Sequence, residues 1–339
     1  MLKRPRTQIR LDMMVDILKA AAEPSRLRIL LLLSHADLTV SDLTEVLNQS
    51  QPRVSRHLKL LLDAGLIVRY QEGSWAFFRL AEEVAQREVV DWIVARVDRA
   101  DPLADRDLER LEAIKRRRQE RAAEYFAKNA ASWDQIRSLH VPDAAVEAEL
   151  KRLVGDRPFE SMVDLGTGTG RLLELFAPLY RRGVGIDLSR EMLAVARANL
   201  ERAGVMNALV RLGDIYAPPV ERDAHDLVTI HQVLHYLEDP GAAIREAARL
   251  LRPGGKLVIV DFAPHAHEFL REEHAHLRLG FSDRQIGEWL AEAELDLEET
   301  LAFAPEGEAA EGLTVKLWLA RDTRVAVAAD NASERRETV

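Results

Sequence analysis

The stretch Val163-Asp164-Leu165-Gly166-Thr167-Gly168-Thr169-Gly170 constrains this chain more than any other. A short apolar strand that runs into three closely set glycines turns sharply and lets its backbone approach a ligand where a Cβ would intrude. Further on, Gly183-Val184-Gly185-Ile186-Asp187 ends a second apolar run on a carboxylate, placed to accept from both hydroxyls of a ribose. Together they mark a nucleoside cofactor site. Dinucleotide sites set the last glycine one position later and rest a pyrophosphate on the helix that follows. The G-x-G-x-G spacing here, with Asp164 at the strand end, suits a cofactor that carries a positive sulfonium and no phosphate.

Around this loop, strand and helix patterns alternate. Strands are expected over Ser161–Leu165, Gly183–Asp187, Ala208–Arg211, Asp226–Ile230 and Lys256–Asp261, with helices over Arg171–Leu179, Arg190–Ala203 and Pro240–Leu251. That alternation predicts a parallel, doubly wound α/β sheet. A helix over Asp283–Ala293 and two late strands, Asp296–Phe303 and Thr314–Ala320, would complete it as an antiparallel pair.

From Tyr125 to Arg321 the motifs resemble, in order, those of the Rossmann-like class I S-adenosylmethionine (SAM) methyltransferases. The resemblance implies SAM or S-adenosylhomocysteine as cofactor. It implies that Gly166, Thr167 and Gly168 meet the methionyl part while Asp164 orders the loop, and that Asp187 holds the ribose with Leu188 and Met192 against adenine. Gly213-Asp214-Ile215 would receive the adenine edge, Asp214 accepting from the amino group, and His231 and Gln232 would lie beside the sulfonium. Tyr125, Phe126 and Trp133 are expected over the cofactor mouth.

The chain after the fourth strand reads Thr229-Ile230-His231-Gln232-Val233-Leu234-His235-Tyr236-Leu237. It lacks the (Asp/Asn/Ser)-Pro-Pro-(Tyr/Phe) arrangement of enzymes that methylate exocyclic or amide nitrogens, and with no cysteine it cannot attack a cytosine ring covalently. DNA methylation is disfavoured, as is arsenite methylation. A small-molecule acceptor, as in the quinone and biotin-pathway branches, or cofactor binding without turnover, remains. Six of the ten histidines lie between His231 and His276. His231 and His235, four apart, are the candidate catalytic residues. His265, His267, His274 and His276 fit an acceptor site, a zinc or iron site, or a polar surface helix; no strict metal motif is present, and no metal is assigned.

The first quarter differs in charge. Residues 1 to 80 carry 12 Lys/Arg against 8 Asp/Glu, a net +4, whereas the whole chain is −9. An acidic protein with a basic first quarter points to a nucleic-acid module joined to a small-molecule module. Two helices between Leu11 and Leu33 broken at Pro24, a short helix over Val40–Leu47 capped by Thr39 or Ser41, and a helix from Gln51 capped by Ser50 form a helix-turn-helix. Leu66–Leu80 then folds as a hairpin, a wing.

The run QPRVSRHLKLLLDAGLIVRYQEGSWAFFRL resembles the recognition helix and wing of the ArsR family of winged-helix repressors. The resemblance implies an α+β domain, double-stranded operator DNA as partner and a homodimer that places two recognition helices in successive major grooves. Gln51, Arg53, Ser55, Arg56 and His57 would project towards the bases, with Lys59 and Arg69 reaching phosphates. That family's metal sensors carry a cysteine pair where this chain has Leu38 to Leu43, and Glu82 to Ala100 holds no histidine for the other common site. A metalloregulator of either kind is not expected.

Four regions are therefore expected: a DNA-binding and dimerisation domain over residues 1–100 with Glu83–Val97 as the dimer helix, a charged helical linker over 101–124, a methyltransferase-like domain over 125–321, and a disordered tail over 322–339. No apolar run is long enough to span a bilayer and Met1–Arg10 has no signal-peptide core, so a cytoplasmic protein is expected. The combined expectation is a transcriptional regulator, most simply a repressor, that senses SAM or S-adenosylhomocysteine. The alternative is an active small-molecule methyltransferase with an autoregulatory winged helix.

Overall fold

The computed structural model describes residues 8–72, 74–81, 83–98, 100–130, 133, 143–304 and 312–324. They form two compact units, one comprising Met1–Ala122 with His265–Leu279 and the other Ala123–Pro264 with Gly280–Val339.

In the first unit, α1 (Leu11–Ala21), α2 (Pro24–Leu33), α3 (Val40–Leu47) and α4 (Gln51–Asp63) precede a hairpin of β2 (Ile67–Glu72) and β3 (Trp75–Leu80). A two-residue strand, β1 (Leu38–Thr39), pairs with β3, giving the sheet order β1-β3-β2. Pro24 sits in the first turn of α2, where its missing N–H costs nothing, and Glu23 caps the helix through Arg26 N. Thr39 caps α3 in a reciprocal box with Asp42. Ser50 occupies the cap position of α4 without a side-chain bond. On α1 the buried residues are Ile17, Ala20 and Ala21, whereas Val15 and Leu18 are exposed.

Helix α5 (Val84–Val94) is followed by α6 (Pro102–Asn129). Up to Ala122 α6 belongs to the first unit and packs into its core. Ala104, Asp107, Leu111 and Ile114 recur at spacings of three and four and are buried. Asp107 receives Arg28 from α2 at 2.7 Å, Arg118 reaches Asp42 at 2.6 Å, and Arg110 donates to the Val46 carbonyl at 2.9 Å. Leu108, Leu111 and Ile114 of the expected linker thus form a core stripe of the winged-helix unit rather than the face of a free connector. Three residues of the basic run Lys115–Arg118 are paired, Lys115 with Glu112, Arg117 with Glu45 and Arg118 with Asp42.

The second unit is built on a seven-stranded sheet. Its strands are β4 (Phe159–Leu165), β5 (Tyr180–Asp187), β6 (Ala208–Leu212), β7 (His225–His231), β8 (Leu251–Phe262), β9 (Leu295–Phe303) and β10 (Val315–Asp322), in the order β6-β5-β4-β7-β8-β10-β9. β4 to β8 are parallel; β10 runs antiparallel between β8 and β9. The central strands read as continuous apolar runs because helices cover both faces. The chain winds outwards from β4 through β5 and β6, then returns to β7 on the other side of β4. That reversal is the crevice in which open α/β sheets bind ligands.

The unit's helices are α7 (Asp143–Val154), α8 (Arg171–Phe176), α9 (Arg190–Arg202), α10 (Pro240–Leu250) and α12 (Asp283–Glu292), while α11 (Phe269–Glu273) lies in the first unit's segment. α8 ends earlier than its apolar pattern suggests, because Pro178 cannot continue a helix and Tyr180 pairs with Phe159 at the start of β5. The Tyr180 hydroxyl donates to the Leu173 carbonyl at 2.8 Å. Of the expected tail, Asp322 closes β10 and Arg324 binds Asp322 and the Leu251 carbonyl, while residues 325–339 lie outside those described.

Candidate functional site

The glycine loop leaves β4 at the sheet's point of reversal. Gly166, Gly168 and Gly170 all have positive φ, 71°, 51° and 83°. Gly166 N and Thr167 N donate to the Ile186 carbonyl at 2.8 and 2.9 Å, pinning the turn over β5. A Cβ on Gly166 would collide with the Val233 side chain, whose Cγ1 would lie 2.9 Å away. Gly166 therefore meets two demands that only glycine satisfies together, a left-handed backbone and a close neighbour.

Asp164 lies beneath this loop and is 2% exposed. Its Oδ2 accepts from Thr167 Oγ1 at 2.7 Å and its Oδ1 from Thr229 Oγ1 at 2.6 Å. Asp164 thus holds the loop to β7, both its oxygens engaged by hydroxyls.

Asp187 ends β5 beside the loop. Its Oδ2 accepts from Gly168 N and its Oδ1 from Ser189 N, both at 2.8 Å. Burial pushes its carboxyl above the usual carboxylate range, against the pull of the N–H groups of Ser189, Gly168 and Leu188. Leu188 beside it is 63% exposed, an apolar side chain left in water at the sheet's ligand-binding end. Met192 is buried on α9 and Ile215 is 9% exposed, so both form the floor rather than an open wall. Gly213 follows β6, its N–H bonded to the Asp187 carbonyl at 3.0 Å, and Asp214 is exposed with Oδ1 accepting from Tyr216 N. Asp187, Leu188, Gly213 and Asp214 thus gather at neighbouring ends of β5 and β6.

On the other side of the loop, His231 ends β7 and Gln232 follows with φ of 53°, its N–H donated to the Val260 carbonyl at 2.7 Å. A 3₁₀ turn, Leu234–Tyr236, then carries His235. Although four apart, His231 and His235 do not share a helical face, because one closes a strand and the other sits in the turn after it. His235 is 2% exposed and its Nδ1 lies 2.8 Å from Oδ1 of Asp261, itself fully buried at the end of β8. Asp261 was missed in the sequence, where it read as an ordinary strand residue; an acid inside the apolar run Leu257–Phe262 was the available signal. Tyr236 completes a cluster of rings, its centroid 4.7 Å from Phe126 and 6.5 Å from Trp133. Trp133 also borders the glycine loop, its Nε1 3.7 Å from where a Gly168 Cβ would stand.

The residues expected to read DNA lie mostly on α4. Gln51, Arg53, Ser55, Arg56 and Lys59 are exposed on it, and Arg69 is exposed on β2. His57 is not among them. It falls on the same stripe as Val54, Leu58 and Leu61, is 8% exposed, and has Nδ1 3.6 Å from Glu23. Burial lowers its pKa below 6.5, only partly offset by Glu23. His57 is a core residue of the helix, and its assignment to DNA is withdrawn.

The histidines after β8 also take an unexpected place. His265 to Leu279 fold with the first unit, and Leu270, Arg271, His276, Arg278 and Leu279 are buried, so this is no polar surface helix. Among the described residues, no group of three or more His, Cys, Asp or Glu could hold a metal ion.

Comparison with known proteins divides the chain in the same two parts. Residues 163–259 match the model described as a methyltransferase domain, and residues 23–68 match that of the bacterial regulatory proteins of the arsR family. An uncharacterized 37.1 kDa protein in transposon Tn4556 of Streptomyces fradiae is 42% identical over 106 residues, 30% of either chain. The uncharacterized methyltransferase YcgJ of Bacillus subtilis (strain 168) is 29% identical over 139 residues, 38% of this chain and 53% of the other. A ubiquinone/menaquinone biosynthesis C-methyltransferase of Shewanella sp. (strain W3-18-1) is 34% identical over 122 residues, 35% of this chain and 49% of the other. The chain thus spans about a third to a half of the length of these relatives. Among solved structures, the N-methyltransferase NodS of Bradyrhizobium japonicum WM9, in complex with S-adenosylhomocysteine, is similar with a TM-score of 0.49 at 21% identity, over 60% of this chain and 99% of that one. The two domain models bear out the two-part reading of the sequence: the chain carries an arsR-family DNA-binding helix-turn-helix domain followed by a methyltransferase domain, the latter with a mostly parallel seven-stranded α/β sheet.

Proposed function

We propose that this protein is a dimeric transcriptional regulator, a repressor, whose affinity for an operator is set by SAM or S-adenosylhomocysteine held in its methyltransferase domain. The observation that carries the cofactor half is Asp187. It is a half-buried carboxylate at a strand end, fixed by the N–H of the glycine loop, with exposed Leu188 beside it. A ribose brings two hydroxyl donors and adenine an apolar face, and this donor set fits both. Asp187 would hold the ribose, Leu188 and Asp214 the adenine, and Gly166 to Gly168 the methionyl part. When bound, SAM supplies an electrophilic methyl group on a sulfonium.

The exposed row Gln51, Arg53, Ser55, Arg56 and Lys59, with Arg69 on the wing, supports double-stranded DNA as the partner. Pairing of two copies is supported by apolar side chains left in water on neighbouring helices. Leu11 is 81% and Leu18 54% exposed on α1, Trp92 is 58% exposed on α5, and Gln86 of α5 reaches Met13 of α1. No described helix is long and apolar enough to cross a membrane. A regulator of this kind works in the cytoplasm.

One observation favours the second reading, an active small-molecule methyltransferase. With Asp261 accepting from Nδ1, His235 keeps Nε2 as the basic nitrogen, the tautomer a general base requires. His231, at the end of β7, would line the same acceptor side. The relatives among quinone C-methyltransferases are consistent with a carbon acceptor.

Operator affinity measured with each cofactor at saturation separates the readings. A sensor requires SAM and S-adenosylhomocysteine to differ in affinity for the DNA-bound state, because a ligand that binds both states equally shifts nothing. The expected coupling is ~1–3 kcal/mol, roughly 5- to 150-fold in operator affinity. Equal operator affinities remove the sensor and leave the enzyme.

A further inference from the structure

The wing is covered on both faces. Successive residues of a strand point to opposite sides of a sheet, so an isolated hairpin buries one face and wets the other. On β3, Phe78 and Leu80 enter the core of the helices. Phe77 points the other way and is nonetheless only 3% exposed. Its cover is the segment His265–Leu279, which lies nearly two hundred residues further along the sequence, between β8 and α12.

The cover is specific. Arg278 places its guanidinium 4.9 Å from the Phe77 ring and donates to the Tyr70 hydroxyl at 3.0 Å. Arg271 lies 4.5 Å above Trp75. Tyr70 stacks on Phe77 across the two strands, with ring centroids 5.5 Å apart, and donates in turn to Asp37. Ser74 N, at the tip of the wing, donates to Glu268 at 2.6 Å, and Arg121 of α6 donates to the Glu272 carbonyl at 2.6 Å. Arg271 and Arg278 are 6% and 8% exposed. A cation buried at that level is costly unless fully engaged, and here the aromatic face of the wing engages it.

The root of the segment is equally defined. Phe281 N donates to the Phe262 carbonyl at 2.8 Å and His265 N to the Leu279 carbonyl at 3.0 Å, so its two ends are stapled side by side. Gly280, with φ of 87°, has no room for a Cβ against the Ala263 carbonyl. The segment starts just past Ala263-Pro264, after Phe262, whose ring lies 5.0 Å from that of His235 and whose neighbour Asp261 bonds His235. His235 follows Val233, which packs against Gly166 of the cofactor loop.

We propose that His265–Leu279 is a coupling clamp, through which occupancy of the cofactor loop alters the order of the DNA-reading wing. This rests on the cofactor reading above. Any shift of Val233 on ligand entry acts on the Leu234–Tyr236 turn, on Asp261 and Phe262, and so on the stapled root of the segment that grips the wing. The clamp is a two-state element biased from one end and read at the other.

Amide hydrogen exchange of the full-length chain with and without saturating S-adenosylhomocysteine tests it. The expected result is slowed exchange at Gly166–Thr169, a change of at least fivefold at Ile67–Leu80, and loss of the second effect alone in the Arg271→Ala/Arg278→Ala variant. Tyr70→Phe, which removes the hydroxyl that bonds Arg278 and Asp37, should at least halve the wing response. If the double variant unfolds the first unit, Tyr70→Phe decides, and an unchanged wing response in it overturns the clamp. Protection at the glycine loop with no change at the wing in the wild type overturns the clamp and leaves the cofactor reading standing. No protection at the loop removes the cofactor reading and the clamp together.

Discussion

Gly166→Ala measures how tightly the glycine loop is specified. At φ of 71° an L-residue strains its Cβ against its own carbonyl, at about 1–2 kcal/mol. The new methyl group also meets Val233, which must move, and overpacking of this kind costs about 1–3 kcal/mol. The second unit should lose ~2–5 kcal/mol in all. The two contributions separate in a double-mutant cycle. Val233→Ala alone removes two methyl groups from a partly buried site and should cost about 1–2 kcal/mol. In the Gly166→Ala background it makes room for the new methyl and should restore ~1–3 kcal/mol, leaving only the backbone strain. Chemical denaturation of the four proteins, followed in the second unit, supplies the cycle, and calorimetry with S-adenosylhomocysteine supplies the functional reading. Affinity should fall at least tenfold in Gly166→Ala and recover in part in the double variant. Strictly additive stabilities would refute the steric argument, and an unchanged affinity would refute the placement of the loop against the ligand.

Asp187 must be ionised to accept from two ribose hydroxyls, and burial raises its pKa. Cofactor affinity should therefore fall as pH drops through a value above the usual carboxylate range. Asp187→Asn should bind more than tenfold more weakly at neutral pH, the loss of a charge-assisted bond of ~1.5–3 kcal/mol, and show no such fall; a parallel pH profile in the variant would count against the assignment. For His57 the sign is opposite in origin. Its folded-state pKa lies below the ordinary 6.5, so the unfolded chain takes up the proton first, and stability present above about pH 6.5 is lost as pH falls towards the lowered value. His57→Leu should flatten that loss in urea titrations at pH 7 and pH 5 without weakening DNA binding, whereas Arg56→Ala should weaken specific binding by ~1–3 kcal/mol and leave stability alone.

What was legible in the sequence is what local chemistry decides. Pro24 and Thr39 mark helix starts because their effects act within one turn. The runs Met162–Leu165 and Leu227–Ile230 read as central strands because burial on both faces removes the need for alternation. The loop Gly166–Gly170 could be read as a ligand turn because positive φ demands glycine, and Asp187 as its partner because a strand end puts a carboxylate beside it.

Tertiary structure decided the rest, wherever two options were locally equal. A histidine on α4 can face DNA or the core, and its register with Val54, Leu58 and Leu61 put His57 inside. Asp164 was legible as ordering the loop, but its second partner, Thr229, lies 65 positions away and only the sheet brings it there. The charged helix after Asp101 carries a stripe too narrow to show that it docks, and Asp107 does so by pairing with Arg28 across 79 residues. The histidine-rich segment after β8 offers no local clue to its destination. Neighbouring phenylalanines at 77 and 78 were the trace it left, since two apolar residues in succession on a two-stranded hairpin require a cover on each side. That cover comes from a distant segment, and only the folded chain brings Arg271 and Arg278 to it.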